Sequence, residues 1–203
     1  MRDAVQTLST RDAILDATDR MLTRYGYKKM TIDDLAAEVG IGKGSVYLHF
    51  TSKEEIALSH IDRIIERLKK RLHEIATSDQ PARDRVCEML IERVLFRFDS
   101  VQHYTQSLNE LLGVLRTKLL ERRKRYFQEE ANIIAEAIAD GQKGGTFIEG
   151  DAMDISLTLL SATNSLLPYS LSAYELGDRE ELRERTRKIA DLLVKGLSFK
   201  ENK

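Results

Sequence analysis

Residues 31–53 read TIDDLAAEVGIGKGSVYLHFTSK, and this stretch decides how the N-terminal part of the chain folds. Its first half carries apolar residues at the spacing of one helix face, namely Ile32, Leu35, Ala36 and Val39. Thr31 stands before this face as an N-cap residue, and Gly40 follows it as a C-cap residue. Because glycine tolerates positive φ, Gly40-Ile41-Gly42 predicts the tight turn of a helix-turn-helix, with a second short helix from about Lys43 to His49.

The second helix of this stretch has two different faces. Val46 and Phe50 are four residues apart, so we expect both to pack against the first helix. The outward face combines a cation, hydroxyls, an imidazole and little bulk near its start: Lys43, Gly44, Ser45, Tyr47, Leu48 and His49. Such a face suits the major groove of DNA. The alternative is that Tyr47 is a core aromatic and that the lysines are solvated surface residues.

The order of motifs from Thr10 to Ile56 resembles the TetR-type transcriptional regulators. It runs from a helix through Gly26, TIDDLAAEVG and KGSVYLHF to SKEE. The resemblance implies that Lys43, Ser45 and Tyr47 contact base edges and nearby phosphates. It also implies that Thr31, His49 and Lys53 hold the DNA backbone. The predicted DNA-binding set is therefore Thr31, Lys43, Gly44, Ser45, Tyr47, His49 and Lys53.

Two residues depart from the family pattern. Gly42 stands where the family usually has a Ser or Thr that caps the recognition helix, so one hydroxyl contact to phosphate is expected to be missing. Leu48 replaces a more usual polar or aromatic residue. These departures motivate the alternative function, an all-α dimeric small-molecule-binding or scaffold module whose DNA binding is only non-specific.

Composition points to an all-α protein with a substantial core. The 203 residues are 42% hydrophobic and 32% charged, and only two are prolines. The formal net charge of -1 excludes a polycation that binds nucleic acid indiscriminately. Residues 20–53, however, contain six lysines and arginines but only three carboxylates, so we expect DNA affinity to come from this end of the chain.

The single cysteine, Cys87, permits no intrachain disulfide and favours a reducing, cytoplasmic location, with a buried structural thiol preferred over a redox sensor. The N-terminal residues are too polar for a secretion signal. Residues 155–174 lack charge over a length that could span a bilayer, but eight Ser, Thr and Asn residues and Pro168 argue against this. We expect a helix buried in protein and no membrane association.

The remaining helices follow from apolar periodicity and capping residues. Ser9 or Thr10 caps the first helix, and Gly26 ends it. A capping box from Ser52 to Glu55 opens a long helix that lasts until residues 78–81. The later helices are expected from Pro81 to near Asp99, around Leu108–Leu115, from about Leu119 to Gly141, over Asp151–Ala173 and over Asp178–Ser198.

The expected architecture is an N-terminal three-helix DNA-binding head, residues 1–53, on a larger helical-bundle body, residues 54–203. The resemblance implies that the last two helices of the body pair with their copies in a second subunit. A helix that is apolar on nearly all sides independently favours a homodimer, because its own chain cannot cover it. Small residues such as Ser161, Ala162, Thr163 and Ser165 would allow close helix approach.

The resemblance also implies a pocket for a small-molecule effector among the middle helices. Candidate lining residues combine aromatic bulk with hydrogen-bonding groups: Met89, Phe96, His103, Tyr104, Asn109, Tyr126, Phe127, Asn164 and Tyr169. Any of them can equally be an ordinary core residue. The basic run 122–125 is interpreted as a solvated face that pairs with Glu121, Glu129 and Glu130, with an anionic-ligand patch as the alternative.

No catalytic residues, metal site or cofactor are expected. The four histidines are scattered, and the chain has no HExxH motif and no GxSxG nucleophile elbow. An enzyme is therefore improbable. The sequence favours a ligand-responsive DNA-binding regulator, a repressor, that binds a pseudo-palindromic operator as a homodimer and is released by an effector.

Overall fold

The computed structural model describes residues 2–101, 105–167 and 177–198, with side chains from 10–100, 113–167 and 177–198. The fold is all-α, as predicted. Its helices are α1 (Arg2–Lys29), α2 (Ile32–Val39), α3 (Lys43–His49), α4 (Lys53–Ala76), α5 (Ala82–Val101), α6 (Thr105–Lys143), α7 (Ala152–Thr163), a 3-10 turn (Asn164–Leu166) and α8 (Arg179–Leu197). None of the helices in these ranges is both long and apolar enough to cross a membrane.

The chain folds as two compact units. The first unit contains residues 1–64 and 103–121, and the second contains residues 65–102 and 122–203. Helices α4 and α6 each contribute residues to both units. The three N-terminal helices α1, α2 and α3 therefore belong to the first unit, and the C-terminal helices α7 and α8 belong to the second.

Local capping sets the boundaries of α2 and α3. The Thr31 hydroxyl accepts the Asp34 N–H at 3.1 Å, and Gly40 ends α2 in the left-handed conformation with φ of 76°. Both limits of α2 and the extent of α3 confirm the predicted helix-turn-helix. The first unit buries Leu35 of α2 and Val46 of α3, together with residues of α1 and α4, among them Ile14, Leu15, Leu22, Ile56 and Leu58.

The first helix begins earlier than predicted. It starts at Arg2 and not at the expected cap, Ser9 or Thr10, because a hydroxyl residue inside a helix costs only a few tenths of a kcal/mol, so it does not force a helix start. Gly26 interrupts the helix with φ of 77° and ψ of 167°, and residues 27–29 resume it. The predicted break at Gly26 is correct, but it is a kink within α1.

Residues 105–143 form one helix where two were predicted. The sequence suggested a short helix around Leu108–Leu115 and a second helix from Leu119, but α6 is continuous over both. The apolar spacing continues from Leu115 to Leu119, and Gly113 only lowers the helix propensity by about 1 kcal/mol. Without a proline or cap in this interval, the chain has no local reason to leave the helix.

The helix predicted over Asp151–Ala173 ends early. Asp151 caps α7 by accepting the Met153 and Asp154 N–H groups, as predicted. The helix then stops at Thr163, a 3-10 turn follows, and Leu167 is extended with φ of -83° and ψ of 146°. Leu167 precedes Pro168, and proline disfavours the α conformation in the residue before it. Residues 168–173 of the predicted helix lie outside the described residues.

The second unit packs α5 against α8 and α7 around an apolar core. The core includes Leu68 and Leu72 of α4, Val86, Met89 and Leu90 of α5, Ile134 and Ile138 of α6, Leu160 of α7 and Val194 of α8. Gly141 is required beside this core, because a Cβ there would lie 2.4 Å from the ring of buried Phe147. The loop between α6 and α7 packs against the end of α8, where the Ile148 N–H donates to the Leu197 carbonyl at 2.9 Å.

Candidate nucleic-acid interface

Helix α3 buries one side and exposes the other. Val46 is fully buried and Phe50, which follows the helix, is buried as well. The opposite side exposes Tyr47 at 49% and Leu48 at 84% of their surfaces. Because Leu48 is so exposed, its side chain does not contribute to the core of the first unit. The outward face predicted from the sequence is therefore present.

The other predicted contacts on α3 share this outward side. Lys43 and Gly44 are exposed at the start of the helix, and Ser45 and His49 are partly exposed. A Cβ added at Gly44 would meet nothing within 4 Å, so the backbone there is open to an approaching surface. Gly44 and the small Ser45 leave room for a nucleic-acid backbone beside the helix start.

Lys43 is held by a carboxylate of the preceding helix. Its Nζ atom lies 2.8 Å from Oδ2 of Asp33, and both side chains are exposed. The hydrogen bond and the charge of Asp33 raise the pKa of Lys43, so the ammonium is charged at neutral pH. A phosphate that binds Lys43 must therefore compete with Asp33.

Thr31 and Lys53 flank α2 and α3 and already have intramolecular contacts. The Thr31 hydroxyl donates to Oδ2 of Asp34 at 2.6 Å while it caps α2. The Lys53 Nζ lies 4.4 Å from the centre of the Tyr27 ring and donates to the Lys28 carbonyl at 3.3 Å. Partial burial lowers the pKa of Lys53. Both residues border the region as predicted, but Lys53 is packed onto α1.

The turn between α2 and α3 uses its two glycines differently. Gly40 has the left-handed φ of 76° that favours glycine, whereas Gly42 has φ of -73° and ψ of 150°. The positive φ that we expected of the turn therefore belongs to Gly40. Gly42 is the N-cap of α3, and it provides no side-chain hydrogen bond to the helix start. This agrees with the missing capping hydroxyl noted in the sequence.

Two contacts of arginines that brace α2 and α3 were missed from the sequence. Arg20 of α1 donates to Glu38 of α2 at 2.8 Å. The Arg11 guanidinium lies 5.0 Å from the centre of the Phe50 ring, at the end of α3. These partners are distant in sequence, so helix periodicity gives no signal for them.

The predicted effector residues that the structure describes are distributed through the second unit. Met89 is part of its core, Phe96 and Phe127 are half-buried against that core, and Tyr126 is buried. Asn164 accepts a hydrogen bond from Arg93. The side chains of His103, Tyr104, Asn109 and Tyr169 lie outside the described residues. Within the described side chains, no group of three or more His, Cys, Asp or Glu residues could hold a metal ion.

The side chain of Glu130 does not lie on the solvated face that was predicted for the basic run 122–125. Glu130 was expected on a solvated face with residues 122–125, but it is completely buried and binds Arg93 and Arg97 of α5. Burial would raise the pKa of Glu130, but Arg97 and Arg93 together lower it, so the carboxylate is ionised. Arg125 of that run lies 3.7 Å from Glu129, which is the predicted i, i+4 pairing.

The half-buried thiol of Cys87 fits a structural role better than a reactive one. Its Sγ lies 3.6 Å from Oδ1 of Asp191. Burial, followed by the charge of Asp191, raises the pKa of Cys87 to about 12, so the thiol is protonated at neutral pH.

Residues 14–59 match the model of the family described as bacterial regulatory proteins, tetR family. A curated relative is the uncharacterized HTH-type transcriptional regulator YhgD of Bacillus subtilis (strain 168), 28% identical over 91 residues. That match covers 45% of this chain and 48% of the relative, so the chain spans about half of that protein's length. A second relative is the fatty acid metabolism regulator protein of the same organism, 24% identical over 92% of this chain and 95% of that protein.

Solved structures share the fold over nearly the whole chain. A transcriptional regulator from Cytophaga hutchinsonii ATCC 33406 has a TM-score of 0.74 and 21% identity, and the match covers 93% of this chain and 98% of that one. The matched region of residues 14–59 contains the helix-turn-helix with its outward-facing α3. Residues 14–59 therefore carry the helix-turn-helix of the tetR family of bacterial regulatory proteins, and the chain as a whole shares the fold of the solved transcriptional regulator.

Proposed function

We propose that this protein is a ligand-responsive transcriptional repressor. Residues 1–53 form the DNA-binding head, and residues 54–203 form the effector-binding and dimerisation body. The homodimer binds a pseudo-palindromic operator, and a small-molecule effector releases it. TetR-family regulators bind DNA, usually as dimers, and respond to small molecules. Such a role places the protein in the cytoplasm, where bacterial DNA is found.

The outward face of α3 carries this proposal. Lys43, Tyr47 and Leu48 are exposed on a short helix whose other side is anchored by Val46. A cation, a hydroxyl and an apolar side chain can address phosphates, base edges and thymine methyl groups in the major groove. A face built only for solubility would not expose a leucine at its centre.

Two such helices are needed to read a pseudo-palindrome. We assign the dimer contact to α7 and α8, because α7 exposes the small residues Ser161 and Ala162, and α8 exposes Leu192 at 74% of its surface. Twofold symmetry would present the two α3 helices about 34 Å apart, one turn of DNA.

Helix α4 is the element through which we expect release to occur. It begins at Lys53 beside the head, and its later residues Leu68 and Leu72 lie in the core of the second unit. In the first unit, Arg63 of α4 pairs with Asp16 of α1 at 2.7 Å. A ligand that favours another position of α4 would move the heads away from the half-site spacing. By linkage, that ligand must bind less well to the operator-bound dimer.

Selection of bound fragments from the source genome tests the proposal directly. We expect a pseudo-palindrome to be recovered, and Lys43→Ala and Tyr47→Ala to weaken binding to it at least about 10-fold. Lys70→Ala removes an exposed lysine of α4 and serves as the matched control, with unchanged affinity. Recovery of no common sequence, with weak binding that disappears as salt increases, would instead support the non-specific scaffold module. Undiminished binding by both head variants would refute the site assignment.

A further inference from the structure

A buried charged cluster joins three helices of the second unit. Nε of Arg93 donates to Glu130 at 2.7 Å, and Arg97 donates to the other oxygen of the same carboxylate. Arg93 also donates to the Thr163 hydroxyl at 3.2 Å and to the Asn164 amide oxygen at 2.8 Å. Helices α5 and α6 and the end of α7 therefore meet at this cluster.

The cluster contains two positively charged guanidinium groups, Arg93 and Arg97, and one carboxylate, Glu130. Glu130 carries one negative charge, and two guanidinium groups bind it. Among the described side chains, Arg97 has no second carboxylate partner, and its only other hydrogen bond is to the Arg93 carbonyl at 3.1 Å. A guanidinium has five N–H donors, and it is costly to bury when its charge is only partly compensated. Arg97 therefore has both charge and donors in reserve.

Arg97 is also the accessible edge of the cluster. The side chains of Arg93 and Glu130 are 1% and 0% exposed, whereas that of Arg97 is 9% exposed. Arg97 is therefore the member of the cluster that lies nearest to solvent. The planar fork of arginine binds a carboxylate through two parallel hydrogen bonds, so the available group matches one chemical class of ligand closely.

The surroundings of the cluster are apolar and aromatic. The Phe127 ring centre lies 6.0 Å from the Arg93 guanidinium carbon, and Phe127 and Phe96 are half-buried against the core. Thr163 and Asn164 add neutral hydrogen-bonding groups beside Arg93. An apolar body attached to an acid group would find both kinds of contact here.

We infer that Arg97 is the anion-binding group of the effector site, and that the effector is a small carboxylate with an apolar body. The inference rests on the proposed function, since it names the ligand of the proposed regulator. Binding of the carboxylate to Arg97 competes with Glu130. It thereby changes the contact that ties α5 to α6, which gives the ligand a direct means of favouring a different arrangement of these helices.

Calorimetric titration of the full chain with octanoate and with benzoate tests this inference without any DNA. We expect at least one of these acids to bind at least about 10-fold more tightly than its neutral amide. Arg97→Gln should abolish this preference, and Arg97→Lys should retain part of it. Arg71→Gln is the matched control, because Arg71 is an exposed, ion-paired arginine of α4 in the same unit, and it should bind like the wild type.

The outcomes separate ligand binding from a purely structural role. If neither acid binds the wild type, or if Arg97→Gln binds the acid as well as wild type does, the inference is wrong. A fall in melting temperature in Arg97→Gln with unchanged acid affinity would show that the cluster is only structural. Should the genomic selection yield no operator while Arg97-dependent acid binding persists, the regulator proposal would fail and the anion site would stand.

Discussion

The ammonium of Lys43 lies 2.8 Å from the carboxylate of Asp33, so the first cation of α3 is tied to α2. This contact lies on the surface and not in the core. It therefore places a negative charge beside the surface that we propose for phosphate binding. Asp33 should oppose DNA binding in two ways, by occupying Lys43 and by repelling the phosphates.

Replacing this carboxylate should strengthen DNA binding. We expect Asp33→Asn to increase operator affinity about 2- to 5-fold at moderate salt, with a steeper salt dependence, because Lys43 can then pair with phosphate. Fluorescence anisotropy with the recovered operator measures both effects. Glu136→Gln, which removes an exposed carboxylate from α6, should change neither of them. Equal or weaker binding by Asp33→Asn would contradict this role for Lys43.

Two glycines of the turn should respond in opposite directions to the same substitution. Gly42 has φ of -73° and open space around its Cβ position, so Gly42→Ser should stabilise the fold by a few tenths to about 1 kcal/mol by capping α3. Gly40 has φ of 76°, and Gly40→Ser should destabilise it by about 1 kcal/mol. Urea unfolding measures both values. A loss of stability in Gly42→Ser would refute the capping argument.

Leu48 should read thymine methyl groups. Leu48→Ala should bind the operator about 3- to 10-fold more weakly, because each buried methylene contributes about 0.8 kcal/mol, while its folding stability stays unchanged. Uracil in place of thymine at the contacted positions should weaken the wild type and have no further effect on Leu48→Ala. If uracil weakens both proteins equally, Leu48 does not make this contact.

Leu192 should lie in the dimer interface. A glutamate at this exposed position of α8 would have to lose its water at the interface and would remove the apolar contact of the leucine, so Leu192→Glu should raise the dimer dissociation constant at least about 10-fold. Light scattering coupled to gel filtration reports the mass. Leu120→Glu alters another exposed leucine, on α6, and should leave the oligomeric state unchanged. A dimeric Leu192→Glu protein would place the interface elsewhere.

Glu130 should stabilise the fold in a pH-dependent manner. Its loss leaves two guanidinium groups without their shared carboxylate, so Glu130→Gln should cost about 3–5 kcal/mol at pH 7. The folded-state pKa of Glu130 lies below the ordinary value of 4.5. Its contribution is therefore complete above that value and is lost as pH falls through the lowered pKa.

Urea unfolding of the wild type and Glu130→Gln at pH 7, 5 and 3.5 checks the direction of this dependence. The difference in unfolding free energy should be similar at pH 7 and 5 and smaller at pH 3.5. Glu136→Gln on the same helix should stay within about 0.5 kcal/mol of the wild type. A difference that is absent, or that grows as pH falls, would contradict the ionised state of Glu130.

Prediction from sequence was most successful where the decisive interactions are local. Thr31, Ser52, Asp151 and Asp178 cap helices through N–H groups two or three residues away, so the residue type and its position are enough. The outward side of α3 also followed from the i, i+4 pair Val46 and Phe50. Where an expected cap was weak or missing, the sequence placed a helix limit wrongly, as in α1 and α6.

The sequence by itself determined the helical class, the caps and the two faces of α3, because these depend on neighbours within about one helical turn. Only the tertiary structure decided that Glu130 leaves the basic segment and binds Arg93 and Arg97, more than thirty positions away. A carboxylate on an amphipathic helix looks the same in sequence whether water or a guanidinium satisfies it. Its partner is chosen by how the helices pack, since burial removes the water that would otherwise compete.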